Sequence, residues 1–168
     1  MTDFVSTRGP TNFPALTSGD LDQTPWPIGY TVVRGVAAAS LNVGDAVYLD
    51  ATGTVAKSAT AADYAKALGV VVGGDSFSTV DETSFDSTLV GALAATVGQQ
   101  VLIAACNGSS VVWANSAGAI VIGSRVGVGA VSGAVDDAAA SNFFGLALMT
   151  GAGVSTPVKI LLRAVSTA

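Results

Sequence analysis

Histidine is absent from this 168-residue chain. With it go Ser-His and Cys-His nucleophiles, imidazole metal sites and the side chain best suited to proton transfer near neutrality. Cysteine occurs once, at Cys106, so no internal disulfide can form and the fold is not a stapled secreted scaffold. In the run Val101-Leu-Ile-Ala-Ala-Cys106 the thiol reads as a small buried hydrophobe. Charge is scarce: 11% of residues are charged, against roughly a quarter in an average globular protein. The surface must therefore be covered with Ser, Thr, Ala and Gly, which suits permanent packing against other subunits. The formal charge is -5, and the seven cations (Arg8, Arg34, Lys57, Lys66, Arg125, Lys159, Arg163) are scattered along the chain. That balance opposes the phosphate neutralisation on which nucleic-acid affinity depends, so no nucleic-acid partner is expected.

Targeting signals are also missing from the reading. MTDFVSTRGP offers neither a basic leader nor an apolar core, so no signal peptide is expected and synthesis is placed in a host cytoplasm. Residues 88–106 are uncharged, but Gln99 and Gln100 lie within them and glycines interrupt at Gly91 and Gly98. Alternation there fits strands better than a membrane-spanning helix, and no membrane partner is expected. The sequon at Asn107 reads as accidental.

What the chain does contain is a repeat. Residues 30–49 (YTVVRGVAAASLNVGDAVYL) align without a gap on residues 109–128 (SSVVWANSAGAIVIGSRVGV), at an offset of 79. Val32, Val33, Leu41, Val43, Gly44 and Val47 fall on Val111, Val112, Ile120, Ile122, Gly123 and Val126. With small gaps, Gly53-Thr-Val55 matches Gly133-Ala-Val135, and Leu68-Gly-Val70 matches Phe144-Gly-Leu146. The shared positions are apolar residues and turn glycines rather than acids, bases or ligands. Repeats at about 30–74 and 109–163 are expected to form a single β domain over residues 31–168, because neither half alone buries its apolar strands. Short β-favouring runs broken by Gly, Asn and Asp predict an all-β fold, a small barrel or a β-tulip or sandwich. Residues 61–68 (AADYAKAL), ending at Gly69, are the best helix candidate. The acidic stretch 75–86 reads as a solvated loop between the copies and lacks the ligand spacing of a calcium loop.

Four of the five prolines, Pro10, Pro14, Pro25 and Pro27, lie in the first thirty residues. Proline fixes φ and removes a donor, so residues 1–30 predict an extended N-terminal arm. The arm also holds Phe4, Phe13, Trp26 and Tyr30, more aromatic surface than a plain disordered tail carries. These four are the candidate partner-binding residues. No catalytic, cofactor-binding or metal-binding residue is expected. The carboxylate pairs Asp45 with Asp50 and Asp136 with Asp137 sit where turn chemistry accounts for them. The clusters Gly127-Val-Gly129 and Gly151-Ala-Gly153 complete no phosphate-binding motif and read as hairpin turns.

The motif Leu41-Asn-Val-Gly-Asp-Ala-Val47, followed by Thr52-Gly-Thr-Val55 and Ala67-Leu-Gly-Val-Val71, resembles the capsid decoration (cement) proteins of tailed bacteriophages. The second copy continues the pattern in Val121-Ile-Gly-Ser-Arg-Val126 and Phe144-Gly-Leu-Ala-Leu148, and departs from it at Ser124 and Arg125. The resemblance spans residues 31–163. It implies a compact β barrel or β-tulip, a homotrimer on the outer surface of the virion capsid, and an N-terminal arm laid on the major capsid protein. A head fibre or spike, or a glycan-binding β module using Trp113, is the alternative.

Overall fold

The structure, a computed structural model, describes residues 32–59, 66–76, 87–106, 110–138 and 143–165. Among the described residues there is no α-helix, and the chain is all-β. The first seven strands are β1 (Val32–Val36), β2 (Leu41–Asn42), β3 (Ala46–Leu49), β4 (Val55–Lys57), β5 (Ala67–Gly74), β6 (Leu93–Ala95) and β7 (Gln100–Ala105). The second seven are β8 (Val111–Asn115), β9 (Ala119–Ile120), β10 (Arg125–Val128), β11 (Val135–Asp137), β12 (Gly145–Ala147), β13 (Gly151–Ala152) and β14 (Pro157–Leu162).

The two sets have one topology. The first sheet has the order β1-β7-β5-β3-β4; the second, read from its other edge, is β8-β14-β12-β10-β11. The short pair β2-β6 has its counterpart in β9-β13. The match extends to register: Val33 faces Ile103 as Val112 faces Ile160, and Val47 faces Gly69 as Val126 faces Gly145. Even the isolated parallel bridge Ala37–Val55 is repeated, as Ser116–Val135. Val, Ile and Ala at alternate positions supply the inward face of each ladder, because successive strand side chains point to opposite sides. Gly44 and Gly123, with φ of 89° and 85°, turn the chain into β3 and β10 in a left-handed conformation that favours glycine.

Several expectations are corrected by this arrangement. The first unit continues through β6 and β7 to Ala105, so the acidic stretch beginning at Asp75 lies inside that unit instead of separating the two. β7 belongs to the first sheet because it pairs with both β1 and β5. The corresponding link in the second unit is only residues 148–150, between β12 and β13. Ala67 and Leu68, the end of the helix candidate, open strand β5. Ser87–Leu89 forms a 3-10 turn ahead of β6. Gly127 and Gly151 lie within β10 and β13, so neither is a turn residue. Among the described residues the two five-stranded sheets are open, with β1, β4, β8 and β11 at their edges, and no closed barrel forms.

Two clusters make up the core. One is internal to the first unit, where Leu41, Val43, Val47, Val55, Val71, Val101 and Ile103 are packed with Ala94 and Ala95. The other joins the units: Val112, Val126, Val135, Phe144, Val158, Ile160 and Leu162 of the second pack with Ala46, Val70, Val72 and Ala104 of the first. Alternation along β5 and β7 sends Val71 and Ile103 to the first cluster but Val70 and Ala104 to the second, so the first sheet is apolar on both faces. Backbone bonds tie the joint together. Asn115 N–H donates to the Gly44 carbonyl at 2.9 Å, Ala46 N–H to the Gly133 carbonyl at 2.7 Å, and Gly133 N–H to the Ser58 carbonyl at 2.7 Å.

Candidate functional site

Phe4, Phe13, Trp26 and Tyr30 lie outside the described residues, as does the sequon at Asn107. What the described part offers is a set of committed polar groups and one open sheet face.

The carboxylates that the sequence assigns to turns have separate local roles. Asp45 is buried, accepts the Asn42 N–H at 2.7 Å and pairs with Lys57 Nζ at 2.9 Å. Burial pushes its carboxyl above the ordinary value, and the Asn42 N–H and Lys57 only partly offset that. Asp50 closes the hairpin turn between β3 and β4. Its carboxylate accepts Thr54 Oγ1 at 2.6 Å, Thr52 Oγ1 at 2.7 Å, and the backbone N–H groups of Thr52 and Thr54 at 2.8 and 2.9 Å. Those bonds, the Thr54 hydroxyl first, hold it well below the usual carboxylate range. Asp136 accepts the N–H of Asp137 at 2.9 Å. Cys106 packs against the joint cluster, and burial pushes its thiol up to about 12. A thiol so raised is protonated at neutral pH and a poor nucleophile. No grouping of three or more Cys, Asp or Glu suited to a metal ion occurs among the described residues. No helix among them is long and apolar enough to cross a membrane.

The open face belongs to the second sheet. Register places Val111, Leu161, Leu146 and Arg125 in one row across β8, β14, β12 and β10, with Trp113 beside Lys159 in the next. Val111, Leu161, Leu146 and Trp113 are half-buried, Arg125 and Lys159 exposed. The same positions of the first sheet hold Val32, Ala104, Val70, Ala46, Arg34 and Leu102, and of these Ala104, Val70 and Ala46 are sealed inside the joint. Three cations that look scattered in sequence therefore meet on one side. Arg125 stands where the first unit has Ala46, Lys159 where it has Leu102, and Arg163, continuing the alternation past β14, where it has Cys106. Arg125 lies over the Phe143 ring at 4.9 Å from its centroid and Lys159 over Trp113 at 5.8 Å. These cation–π contacts flatten the long side chains along the apolar row. The Trp113 face that a glycan would stack on is thus taken by an ammonium group. The sequence signal for this face was the alternation Pro157, Lys159, Leu161, Arg163, which is legible only once β14 is known to be a strand with its even positions inward.

A shallow open depression at the edge strand β1, lined by Arg34, Gly35, Val36 and Gln100, is the other concavity of note. It brings together no acid, base or nucleophile pair. No family model matches this chain, and no curated protein matches it.

Proposed function

We propose that this protein is a structural virion component, a cement protein that binds the outer surface of a phage capsid and stabilises the mature head. It is not an enzyme in this reading and carries no cofactor. Its partners are the major capsid protein, reached through residues 1–30 with Phe4, Phe13, Trp26 and Tyr30 as anchors, and further copies of itself, as a homotrimer. Neither nucleic acid nor membrane is a partner.

The observation that carries the reading is the kind of duplication the fold contains. Seven strands recur in the same order and register, while ionisable positions change freely: Asp45 becomes Ser124, Lys57 becomes Asp137, Ala46 becomes Arg125 and Leu102 becomes Lys159. Chemistry needs particular acids and bases kept in place, whereas packing needs only shape and apolar faces. A scaffold that holds many copies against a shell uses the latter. An extended, proline-interrupted arm can add a strand to a capsid sheet edge and seat aromatic side chains in pockets, and a symmetric lattice multiplies each weak contact by avidity.

Co-sedimentation with expanded phage heads, assembled from major capsid protein and lacking decoration, tests the reading. The full chain is expected to saturate the heads and raise their resistance to heat. Deletion of residues 1–30 is expected to abolish occupancy while the melting of the β domain holds, since each lost aromatic anchor costs about 2 kcal/mol, or roughly thirty-fold in affinity. Heads that stay bare with the full chain overturn the proposal.

A further inference from the structure

Edge strand β8 carries free backbone groups beside the open face of the second sheet. Leu162 N–H donates to the Ser110 carbonyl at 2.7 Å and Ser116 N–H to the Thr156 carbonyl at 3.1 Å, so the even-numbered residues from Ser110 to Ser116 direct their backbone groups at β14. The odd-numbered ones, Val111, Trp113 and Asn115, direct theirs outward. Asn115 already uses that direction, its N–H being taken by the Gly44 carbonyl of the first unit at 2.9 Å. Val111 and Trp113 make no such bond among the described residues. A strand laid along them would satisfy these groups and place alternate side chains on the open face.

The face beside this edge is cationic. Lys159 is the ladder neighbour of Trp113 and lies over its ring, which carries the ammonium from β14 toward the β8 edge. Arg163 continues the same side of β14 beyond Leu161 and is exposed. Neither is paired with a carboxylate among the described residues, where the ion pair is that of Lys57 with Asp45. Arg125, farther from this edge on β10, is already engaged. On the other side of β8, Val112 and Ala114 are buried in the joint cluster. The edge therefore suits a short strand with acids on one side and an apolar residue on the other.

The sequence holds one segment of that pattern. Residues 15–24 (ALTSGDLDQT) run without proline between Pro14 and Pro25, and Asp20 and Asp22 are the only two acids in the chain spaced two apart, with Leu21 between them. Residues 20–24 lie outside the described residues, and what fits them to this edge is their sequence. In an extended strand the two acids share one side and Leu21 takes the other.

We propose that residues 20–24 from the arm of a second copy add an antiparallel strand to the β8 edge at Val111 and Trp113, with Asp20 and Asp22 meeting Lys159 and Arg163. With Asp20 opposite Trp113, Asp22 falls opposite Val111. Asp20 then stands beside Lys159, Asp22 one row from Arg163, and Leu21 turns to the side of Val112. Acids also suit a strand that becomes the new edge of a sheet. Phe4, Phe13, Trp26 and Tyr30 all lie outside the paired segment and stay available to the capsid. Donor and acceptor are different surfaces, so the contact is heterologous, and each copy gives one strand and receives one until a ring closes. The proposal rests on the self-association in the functional reading above and supplies its surface.

Sedimentation velocity and amide exchange on the full chain test it. Asp20→Lys with Asp22→Lys reverses the strand, and Lys159→Glu with Arg163→Glu reverses the face. The parent is expected to associate, and the Val111 and Trp113 amides to exchange about tenfold faster on dilution. Each double reversal alone is expected to weaken association by about tenfold or more. Lys159 and Arg163 are solvent-facing, so melting is expected to stay within about 2 °C of the parent. Should Lys159→Glu lower it through the lost contact with Trp113, Arg163→Glu alone takes its place. An equimolar mixture of the two reversed proteins is expected to recover association, since the arm of each now opposes the face of the other in charge. Arg34→Glu, on the edge strand of the first sheet, is expected to leave association unchanged. The proposal is overturned by a parent that stays monomeric, by reversals that associate like the parent, by a mixture that stays apart, or by an Arg34→Glu protein as weak as the reversals. Slow exchange at Val111 and Trp113 that dilution does not alter also overturns it, since the chain's own arm would then supply the strand. Head binding measured on the same proteins separates the two ideas: bare heads with association intact sink only the cement role, and occupied heads with association unaltered by the reversals sink only this contact.

Discussion

In the first unit Ala46, Val70 and Ala104 lie sealed against the second unit, whereas the residues in the same register of the second, Arg125, Leu146 and Leu161, face outward. The ladder, the inward core and the turn glycines are common to both, so backbone architecture is not what separates them. The difference lies in what each outward face has to meet. A covered sheet must be apolar on both sides and small enough to let a second layer approach, hence Ala46 and Ala104. An uncovered one can hold long cationic side chains over Phe143 and Trp113. One fold unit thus serves as an inner layer and as an outer layer with few changes.

Paired substitutions at matched positions break or sharpen this contrast. The largest expected effect is at the centre of the joint. Val70→Asp puts an unpaired carboxylate where no water reaches and is expected to cost about 4 kcal/mol or more, enough to unfold the chain at ambient temperature. Leu146→Asp, at the same ladder position of the open face, should cost about 1 kcal/mol. Denaturant unfolding of both proteins measures the gap, and equal losses would mean that the second face is also covered.

Next comes a pair of glycines at matched positions of the two units. A Cβ at Gly69 would run into the Ala104 carbonyl, whereas one at Gly145 would stand 3.3 Å from the Leu161 carbonyl oxygen. Backbone cannot retreat as a flexible side chain does, so Gly69→Ala is expected to lose about 3 kcal/mol and Gly145→Ala about 1 kcal/mol or less. Thermal melting read by circular dichroism distinguishes them, with a fall of several degrees more for Gly69→Ala.

The smallest effect concerns the buried ion pair, which the second unit lacks because Ser124 replaces Asp45. Burial raises the folded-state pKa of Asp45 above the value of 3.8 that serves for the unfolded chain. A raised acid favours the folded state while protonated: its contribution is full below the unfolded value and is lost as pH rises through the folded value. Ionised Asp45 is therefore a net burden at neutral pH despite Lys57, whose side chain is 26% exposed and can be hydrated if left alone. Asp45→Asn keeps an acceptor for the Asn42 N–H and is expected to melt no lower than the parent at pH 7, with any advantage fading as pH falls toward 4. A drop of about 4 °C or more at pH 7 would show that the ion pair outweighs its desolvation. Carboxyl NMR gives an independent check, with Asp45 titrating above the ordinary range and Asp50 below it.

Much of the fold is legible in the residues. β3 (Ala-Val-Tyr-Leu) and β10 (Arg-Val-Gly-Val) can be read to the residue, as short β-favouring runs between turn signals. The alignment of Gly53-Thr-Val55 on Gly133-Ala-Val135 marks β4 and β11, and that of Leu68-Gly-Val70 on Phe144-Gly-Leu146 marks β5 and β12 as counterparts. Two-residue strands such as β2 and β13 leave no periodicity to detect, because their pairing is set by partners far along the chain. The end of the helix candidate 61–68, of which 61–65 lie outside the described residues, shows a different limit. Ala and Leu favour helix locally, yet Ala67 and Leu68 extend because Leu68 accepts the Cys106 N–H from β7. The candidate site divides in the same way: the turn role of Asp50 follows from Asp-x-Thr-x-Thr spacing, while the gathering of Arg125, Lys159 and Arg163 does not follow from any local pattern.

By itself the sequence determined that the chain is β-rich, built twice from one pattern and without imidazole or disulfide chemistry, since these follow from composition, alternation and self-comparison. Only the tertiary structure decided which copy is buried on both faces, where the first unit ends and which residues form its joint with the second. The reason is physical. Alternation says that Val70 and Val71 point to opposite sides of a sheet, but whether the second side meets solvent or another layer depends on residues some eighty positions away along the chain, brought there by packing.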